Sequence, residues 1–198
     1  MSDLALFSAN PSRGFMNQWI LEELGIAYDL RLLDLDADEH KTAEYLAVNP
    51  MGKVPALLHG DRLVTEASAI SFYLAEQFPE KGLSIDSKSP LRGSYLRWCF
   101  FAPVTFEPSI VSKAFGLTHP DYKPFADIET VAETLRLALS DREFIVGDRF
   151  TAADVAIGSA IYWALELMPV LPKHPELVDY WNRLSKRPGW RAAMGSDD

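Results

Sequence analysis

Side chains that bind metals or exchange disulfides are few and scattered in this sequence. The chain has one cysteine, Cys99, so no internal disulfide can form and no multi-cysteine metal site exists. Its four histidines show no metal-ligand spacing, being His40, His59, His119 and His174. The sequence therefore predicts no metal site, and it argues against a metalloenzyme.

The pair Glu66-Ala67 has a more specific chemistry, because it stands where the apolar pattern of EASAISFYLAEQF begins a predicted helix. The first N–H groups of a helix have no partner within it, and together with the helix dipole they can bind an anion. A glutamate at this place can also act only as a first-turn acid that complements the dipole. The residues alone leave both interpretations of Glu66 open.

The charge balance narrows the choice of partners. Nineteen basic and 28 acidic residues give a net charge of −9 without a Lys/Arg cluster, so we expect neither nucleic acid nor an anionic membrane as partner. No apolar run approaches the roughly 20 residues that span a bilayer. The N-terminus lacks the basic start and long apolar stretch of a signal peptide. These features predict a cytoplasmic protein.

The elements that must position Glu66 begin with a strand, a helix and a second strand. LALF predicts a short buried strand that Asn10-Pro11 ends, and Ser12 is predicted as the N-cap of a helix running to about Leu24. Apolar residues alternate over part of YDLRLLDL, which indicates a second strand. A β-α-β crossover of this length implies that the two strands are parallel.

The rest of the chain predicts a short helix, a hairpin and then helices alone. TAEYLAV is the short helix, VPALLHGDRLVTE reads as a hairpin closed at Gly60-Asp61, and EASAISFYLAEQF completes the order β-α-β-α-β-β-α. The Pro-, Gly- and Ser-containing stretch after it is typical of a linker. We predict domains at 1–78 and 90–198 joined by a linker at 79–89. Four helical segments follow the linker, and Thr151 with Asp154 predicts a capping box.

Three motifs together give the chain a family likeness. NPMGKVPAL (49–57), TEASAISFYLAEQFP after it, and GDRFTAADVAIGSAIYW some 80 residues further resemble the cytosolic glutathione S-transferases, and a bacterial, serine-type or theta-like member in particular. The likeness covers essentially the whole chain. It implies an α+β protein with a thioredoxin-like N-terminal domain and an all-α C-terminal domain. It also implies a homodimer that binds glutathione and needs no other cofactor.

The resemblance assigns glutathione-binding roles to particular residues. It implies a cis bond before Pro55, which would leave the backbone of Val54 free to pair with the cysteinyl backbone of glutathione. Glu66 would take the ammonium of the γ-glutamyl group, and N–H groups at Ala67 its carboxylate. The family commonly has Glu-Ser at this place, so Ala67 lacks a hydroxyl that usually supports the carboxylate.

Two basic residues complete the binding site that the resemblance implies. Lys53 and His40 would reach the glycyl carboxylate of glutathione. For His40 an exposed histidine in an acidic loop is an equal alternative, whereas the neighbours of Lys53 fit the motif closely.

Catalysis in this family requires a donor that stabilises the glutathione thiolate. The donor is expected just after the first strand, where Ser12 is our choice and Ser8, Asn10 and Arg13 are alternatives. Ser12 can equally serve only as the helix cap. A tyrosine-type enzyme is excluded because the segment holds no tyrosine, and Cys99 is expected in the helical core.

The second substrate would be a small apolar electrophile held against the helical domain. Trp98, Phe101 and Phe106, with Phe115 nearby, are candidates for that pocket, although aromatic residues at helical spacing also form cores. We expect a glutathione transferase in which the thiolate attacks this electrophile. A glutathione-dependent isomerase, dehalogenase or peroxidase, or a non-catalytic glutathione-binding regulatory protein, would use the same scaffold.

Overall fold

The computed structural model of the protein describes residues 3–117 and 125–195. His119 lies outside the described residues. The described chain forms two compact units, one made of residues 3–81 together with 187–195 and the other of residues 82–117 and 125–186. Residues 187–195, which the sequence analysis assigned to the helical domain, therefore group with the first unit.

The first unit is built on a sheet that has four strands in the described residues. They are β1 (Leu4–Ser8), β2 (Asp29–Leu32), β3 (Ala56–His59) and β4 (Arg62–Thr65). The order across the sheet is β2-β1-β3-β4, with β1 and β2 parallel and the other neighbours antiparallel. The predicted parallel pair and the predicted hairpin, whose turn is Gly60-Asp61, are both confirmed.

The first three helices of this unit are α1 (Phe15–Leu24), α2 (Ala43–Val48) and α3 (Ala67–Gln77), with 3₁₀ turns at Glu39–Lys41 and Pro79–Lys81. The order β-α-β-α-β-β-α confirms the predicted thioredoxin-like arrangement. Apolar residues of α1 and α3 are buried, among them Trp19, Ile20, Ile70 and Leu74. Burial of such side chains stabilises the unit by about 1.5–3 kcal/mol each.

Two details of this unit differ from the sequence prediction. The predicted N-cap role of Ser12 is wrong, because α1 begins at Phe15 and Gly14 occupies the cap position. All four residues of β2 are exposed, including Leu30 and Leu32, because β2 is an edge strand. Alternation of apolar residues therefore gave the strand correctly but not its burial.

The second unit is helical throughout its described residues. Its helices are α4 (Arg92–Phe101), α5 (Glu107–Phe115), α6 (Ile128–Leu139), α7 (Ala152–Tyr162) and α8 (Pro175–Leu184). A π-helical turn at Ala102–Phe106 separates α4 from α5, and another follows α7 at Trp163–Leu167. Pro103 lies in the first of these turns and has no N–H to donate, which favours a local change of hydrogen bonding.

Asp154 organises the start of α7, as the predicted capping box requires. Its carboxylate accepts the Thr151 N–H at 2.8 Å, the Ile145 N–H at 2.8 Å and the Tyr180 hydroxyl at 2.8 Å. Burial raises the pKa of Asp154 to about 6, while these donors act in the opposite direction. Asp154 therefore holds together the start of α7, the segment at Ile145 and the helix α8 that carries Tyr180.

The last helix, α9 (Pro188–Ala193), packs on α1 within the first unit. The Trp190 ring contacts Trp19 at 4.9 Å and Phe15 at 5.9 Å between ring centroids. Arg187 forms two hydrogen bonds with the Glu23 carboxylate, at 2.8 and 2.7 Å. The C-terminal segment therefore braces the helix that follows the predicted catalytic loop.

Candidate functional site

The pairing of the strands brings three of the predicted site segments to the same end of the sheet, which we call the site edge of the first unit. Ala56 pairs with Phe7 on β1 and with Thr65 on β4. The residues just beyond these pairs are the loop after Ser8, the Val54-Pro55 pair and the Glu66-Ala67 pair. Sequence spacing placed these groups in separate segments, and the antiparallel pairing of β3 with both neighbours brings them together.

The loop between β1 and α1 is organised around the hydroxyl of Ser12. Its Oγ accepts the Gly14 N–H at 3.0 Å and the Ala9 N–H at 3.3 Å. Both acceptor positions of the oxygen are therefore used inside the loop, and its own hydrogen is left to donate. Ser12 thus stabilises the loop in a way other than the predicted cap and still carries an available donor.

Ser8 lies directly beneath this loop and is completely buried. Its Oγ is 3.5 Å from Ser12 Oγ. A Cβ on Gly14 would lie 2.0 Å from Ser8 Oγ and 2.8 Å from Ser8 Cβ. Only glycine fits position 14 while Ser8 and Ser12 keep this arrangement.

The start of β3 presents unpaired backbone groups. The Val54-Pro55 bond is cis, as the resemblance implied, and the Asn10-Pro11 bond, for which we made no such prediction, is also cis. Among the described residues no hydrogen bond engages the N–H or the C=O of Val54. These two groups have the donor–acceptor pattern with which an edge strand pairs an added peptide.

A network of hydrogen bonds holds the loop that precedes Val54. The Tyr45 hydroxyl donates to the Lys53 carbonyl at 2.6 Å, and Asn49 Nδ2 donates to the same oxygen at 2.7 Å. Burial raises the pKa of Tyr45, which keeps the hydroxyl protonated as a donor. A Cβ on Gly52, whose φ is 58°, would lie 3.1 Å from the His40 carbonyl oxygen. The turn with His40 and the loop with Lys53 are therefore in contact.

Glu66 adopts a backbone conformation that a residue with a side chain rarely takes. Its φ is 70° and its ψ is 118° at the position before α3, and its side chain is exposed and forms no cap. Such a conformation costs of order 1–3 kcal/mol and concentrates at functional sites. It turns the chain so that α3 starts at the same sheet edge as Val54.

The first N–H groups of α3 have no acceptor among the described residues, as expected at a helix N-terminus. Ala67 and Ser68 supply two of them. The Oγ of Ser68 is buried and has no hydrogen-bond partner in the described part of the chain, so it does not point to solvent where a ligand could reach it. Ser68 does not replace the hydroxyl that Ala67 lacks, which agrees with its sequence position one residue too late.

Two polar residues of α1 that the sequence analysis missed support the site from inside. Asn17 is completely buried, and its Nδ2 donates to the Ala67 carbonyl at 2.8 Å and to Ser71 Oγ at 2.9 Å. Gln18 is also buried, and its Nε2 donates to Ser8 Oγ at 3.3 Å. The signal that could have revealed them is the adjacent amide pair inside FMNQWIL, the otherwise apolar first part of α1.

The other predicted site residues have these positions. Asn10 is exposed and Arg13 is half-buried in the loop before α1. Trp98 and Phe101 are in ring contact at 5.1 Å on α4, where Trp98 is buried and Phe101 is partly exposed. Phe106 has no exposed surface and belongs to the core of the helical unit.

Two kinds of feature are absent from residues 3–117 and 125–195. No group of three or more His, Cys, Asp or Glu side chains is arranged to hold a metal ion there. In the same residues no helix combines the length and the apolar character needed to cross a membrane.

A thioredoxin-like unit with a cis-proline loop beside a helix N-terminus, followed by a helical unit, has the architecture of the glutathione transferases. Residues 2–76 match the family described as glutathione S-transferase, N-terminal domain, and residues 125–188 match its C-terminal domain. Glutathione S-transferase GstA of Escherichia coli O157:H7 is 30% identical over 181 residues, which is 89% of this chain and 90% of the relative. The chain belongs to the glutathione S-transferase family.

Solved structures agree with this assignment. Ure2p in complex with glutathione has a TM-score of 0.80 at 25% identity, covering 96% of this chain and 97% of that one. A glutathione S-transferase from Xylella fastidiosa has a TM-score of 0.76 at 25% identity and covers 98% of each chain.

Proposed function

We propose that this protein binds glutathione at the edge formed by Val54, Lys53, Glu66 and Ala67, and ionises its thiol beside Ser12. The observation that carries the proposal is the convergence of unpaired backbone donors at that edge. The free N–H and C=O of Val54 suit the cysteinyl backbone, and the N–H groups that open α3 suit the γ-glutamyl carboxylate. Family membership supports the same ligand.

The charges that we assign to the site would suit the charged groups of glutathione. The Glu66 carboxylate would take the γ-glutamyl ammonium, and Lys53 with His40 would take the glycyl carboxylate. His40 and Lys53 lie on segments that touch through Gly52, so both can serve one carboxylate. The cysteinyl sulfur would then lie toward the loop that holds Ser12.

The reaction that we propose is attack of the thiolate on a small apolar electrophile. The thiol releases its proton to solvent, and a lone pair of the sulfur forms the new carbon–sulfur bond as the leaving group departs with its electron pair. A free thiol has a pKa of about 8.5, and one hydrogen bond to the charged sulfur is worth about 1.5–3 kcal/mol, or roughly one to two pH units. The Ser12 hydroxyl is the donor that we assign to this role.

We further propose that the protein is a cytoplasmic homodimer that needs no cofactor besides glutathione as co-substrate. The electrophile would contact the helical unit. Of the four aromatic residues predicted for that pocket, Phe101 and Phe115 have the exposed surface that such contact requires, Trp98 has little and Phe106 has none.

A non-catalytic glutathione-binding protein is the second candidate. It is favoured by the use of Ser12 Oγ as an acceptor for two backbone N–H groups, which gives this serine a structural reason to be present. The absence of a hydroxyl at Ala67 also favours it. In that case the site would bind glutathione without ionising its thiol.

One experiment separates binding from catalysis. Glutathione at millimolar concentration should raise the melting temperature, since a ligand bound only by the native state stabilises it by RT ln(1 + [L]/Kd). The same protein is then assayed with glutathione and a panel of aryl halides, alkyl halides, unsaturated ketones and peroxides. Turnover in the panel supports the transferase, stabilisation without turnover supports the binding protein, and no stabilisation contradicts the site itself.

A further inference from the structure

A buried amide of α1 is tied to the first residue of α3. Asn17 exposes none of its surface, and its Nδ2 donates to the Ala67 carbonyl at 2.8 Å and to Ser71 Oγ at 2.9 Å. A carbonyl oxygen can only accept, so the amide has to present its N–H groups, and not its own oxygen, to Ala67. The direction of this hydrogen bond therefore follows from the chemistry of the two groups.

The Asn17 amide reduces stability through its second polar atom. Its Oδ1 is buried and has no hydrogen-bond partner among the described residues. Buried acceptors without a partner are costly and rare, and an apolar side chain at this position would avoid the cost. What an apolar side chain could not supply is the pair of N–H groups that Asn17 directs at α3.

The bond to Ala67 acts on the peptide group that opens α3. The carbonyl of Ala67 and the N–H of Ser68 belong to this one peptide group, and the N–H has no acceptor among the described residues. A hydrogen bond to the carbonyl polarises the group, so its N–H becomes the stronger donor. Asn17 therefore strengthens one of the N–H groups that we assign to the γ-glutamyl carboxylate.

The same bond holds the backbone that follows Glu66. The φ of Glu66 is 70°, and a conformation of this kind persists only where the surrounding structure holds it. Asn17 anchors the next residue along the chain. Its own backbone N–H donates to the Gly14 carbonyl at 3.0 Å, and the Gly14 N–H donates to Ser12 Oγ at 3.0 Å. Asn17 thus connects the start of α3 with the loop that holds Ser12.

We propose that Asn17 is a positioning residue that aims and strengthens the Ser68 N–H as a donor to the γ-glutamyl carboxylate of glutathione. This inference rests on the proposed glutathione site. It gives the chain, whose Ala67 lacks a hydroxyl, a means of supporting that carboxylate from inside the fold.

Calorimetry with two peptides tests this role. One is glutathione, and the other is 4-aminobutanoyl-cysteinylglycine, which keeps the ammonium, the thiol and the glycyl carboxylate but lacks the γ-glutamyl carboxylate. The wild type should bind glutathione about tenfold to a hundredfold more tightly than the analogue, because hydrogen bonds to a charged group are strong. Asn17→Leu keeps the branching at Cγ without a donor. It should weaken glutathione binding about three- to tenfold, the equivalent of one neutral hydrogen bond, and leave the affinity for the analogue unchanged.

Ser71→Ala is the matched control, because it removes the other acceptor of Asn17 Nδ2 and leaves the bond to Ala67 in place. It should lower the melting temperature and keep the wild-type ratio of the two affinities. A general loosening of α3 against α1 would instead weaken the binding of both peptides, and it would do so in both variants.

The outcomes separate this inference from the proposed function. A smaller ratio of the two affinities in Asn17→Leu, with the wild-type ratio in Ser71→Ala, supports the positioning role. An unchanged ratio in Asn17→Leu, or an equal fall in both variants, overturns it while the glutathione site itself stands. A wild type that binds neither peptide, or both equally well, overturns the proposed site and this inference with it. Asn17→Ala, which is too small to clash, decides the question if Asn17→Leu does not fold.

Discussion

Replacement of Gly14 by alanine tests the close packing beneath the candidate catalytic loop. The backbone of Gly14 is in the ordinary right-handed region, with φ −63° and ψ −20°, so alanine meets no backbone strain there. The added Cβ would instead lie 2.0 Å from Ser8 Oγ and 2.8 Å from Ser8 Cβ. Rotation of the Ser8 side chain can move Oγ but not Cβ, so the start of α1 has to shift away from β1.

The size of the effect follows from this overlap. Overpacking of a buried position costs about 1–3 kcal/mol. For a chain of this size that corresponds to a fall in melting temperature of about 3 to 10 °C. The shift would also separate Ser8 from Ser12, so glutathione turnover should fall together with stability.

Gly93→Ala is the matched control. Gly93 lies in α4, and a Cβ there would have no atom within 4 Å. Alanine in an exposed helical position stabilises by about 0.5–1 kcal/mol relative to glycine. Thermal unfolding of both variants, followed by circular dichroism, should move in opposite directions. A Gly14→Ala protein that melts within about 1 °C of the wild type would refute the packing of the loop on Ser8.

Three further changes have defined outcomes. Ala67→Ser should tighten glutathione binding several-fold, since it adds a hydroxyl donor beside the γ-glutamyl carboxylate, and an unchanged affinity by calorimetry would count against that placement. Tyr45→Phe loses the hydrogen bond to the Lys53 carbonyl, so it should cost about 0.5–1.5 kcal/mol of stability and weaken glutathione binding. Its control is Tyr73→Phe, which removes a hydroxyl hydrogen bond to His59 and should lower stability only. Asp154 has a raised pKa, about 6 against an ordinary 3.8, so the folded protein favours its protonated form. The stability that this protonation contributes is fully present below about pH 4 and is lost as the pH rises through 6. The excess stability of the wild type over Asp154→Asn in urea should therefore shrink by up to about 3 kcal/mol between pH 4 and 7, and a gap that widens over this range would contradict the assignment.

Local sequence patterns predicted most of the strands and turns of the first unit. A short apolar run predicted β1, alternation predicted β2, the Gly60-Asp61 turn predicted the hairpin, and the crossover rule predicted the parallel pair. Each of these features depends on residues that are close in sequence, so periodicity and turn chemistry suffice. The same holds for the capping box of Thr151 and Asp154.

Features that depend on distant contacts were not predictable in this way. The burial of Ser8, Asn17 and Gln18 follows from packing between β1, α1 and α3, which the polar side chains themselves do not signal. Ser12 was placed at the helix cap because the cap preference is local, whereas the loop uses its oxygen for Ala9 and Gly14.

Contacts between distant parts of the chain explain two further features that the sequence did not predict. The contact of Trp190 with Trp19 joins residues at opposite ends of the chain, so no window of the sequence contains it. Leu30 and Leu32 are exposed in β2, which is an edge strand because β3 pairs with the other side of β1. This strand order depends on pairing between distant segments, so the sequence of β2 alone does not show it.

Titration of the thiol of bound glutathione tests whether the protein ionises this thiol beside Ser12. In the wild type we expect this thiol to have a pKa at least about one unit below the roughly 8.5 of a free thiol. We also expect Ser12→Ala, still able to bind glutathione, to lose most of that depression, whereas Ser12→Thr keeps it. A wild-type protein that binds glutathione and leaves its thiol titrating like free glutathione would contradict the transferase account.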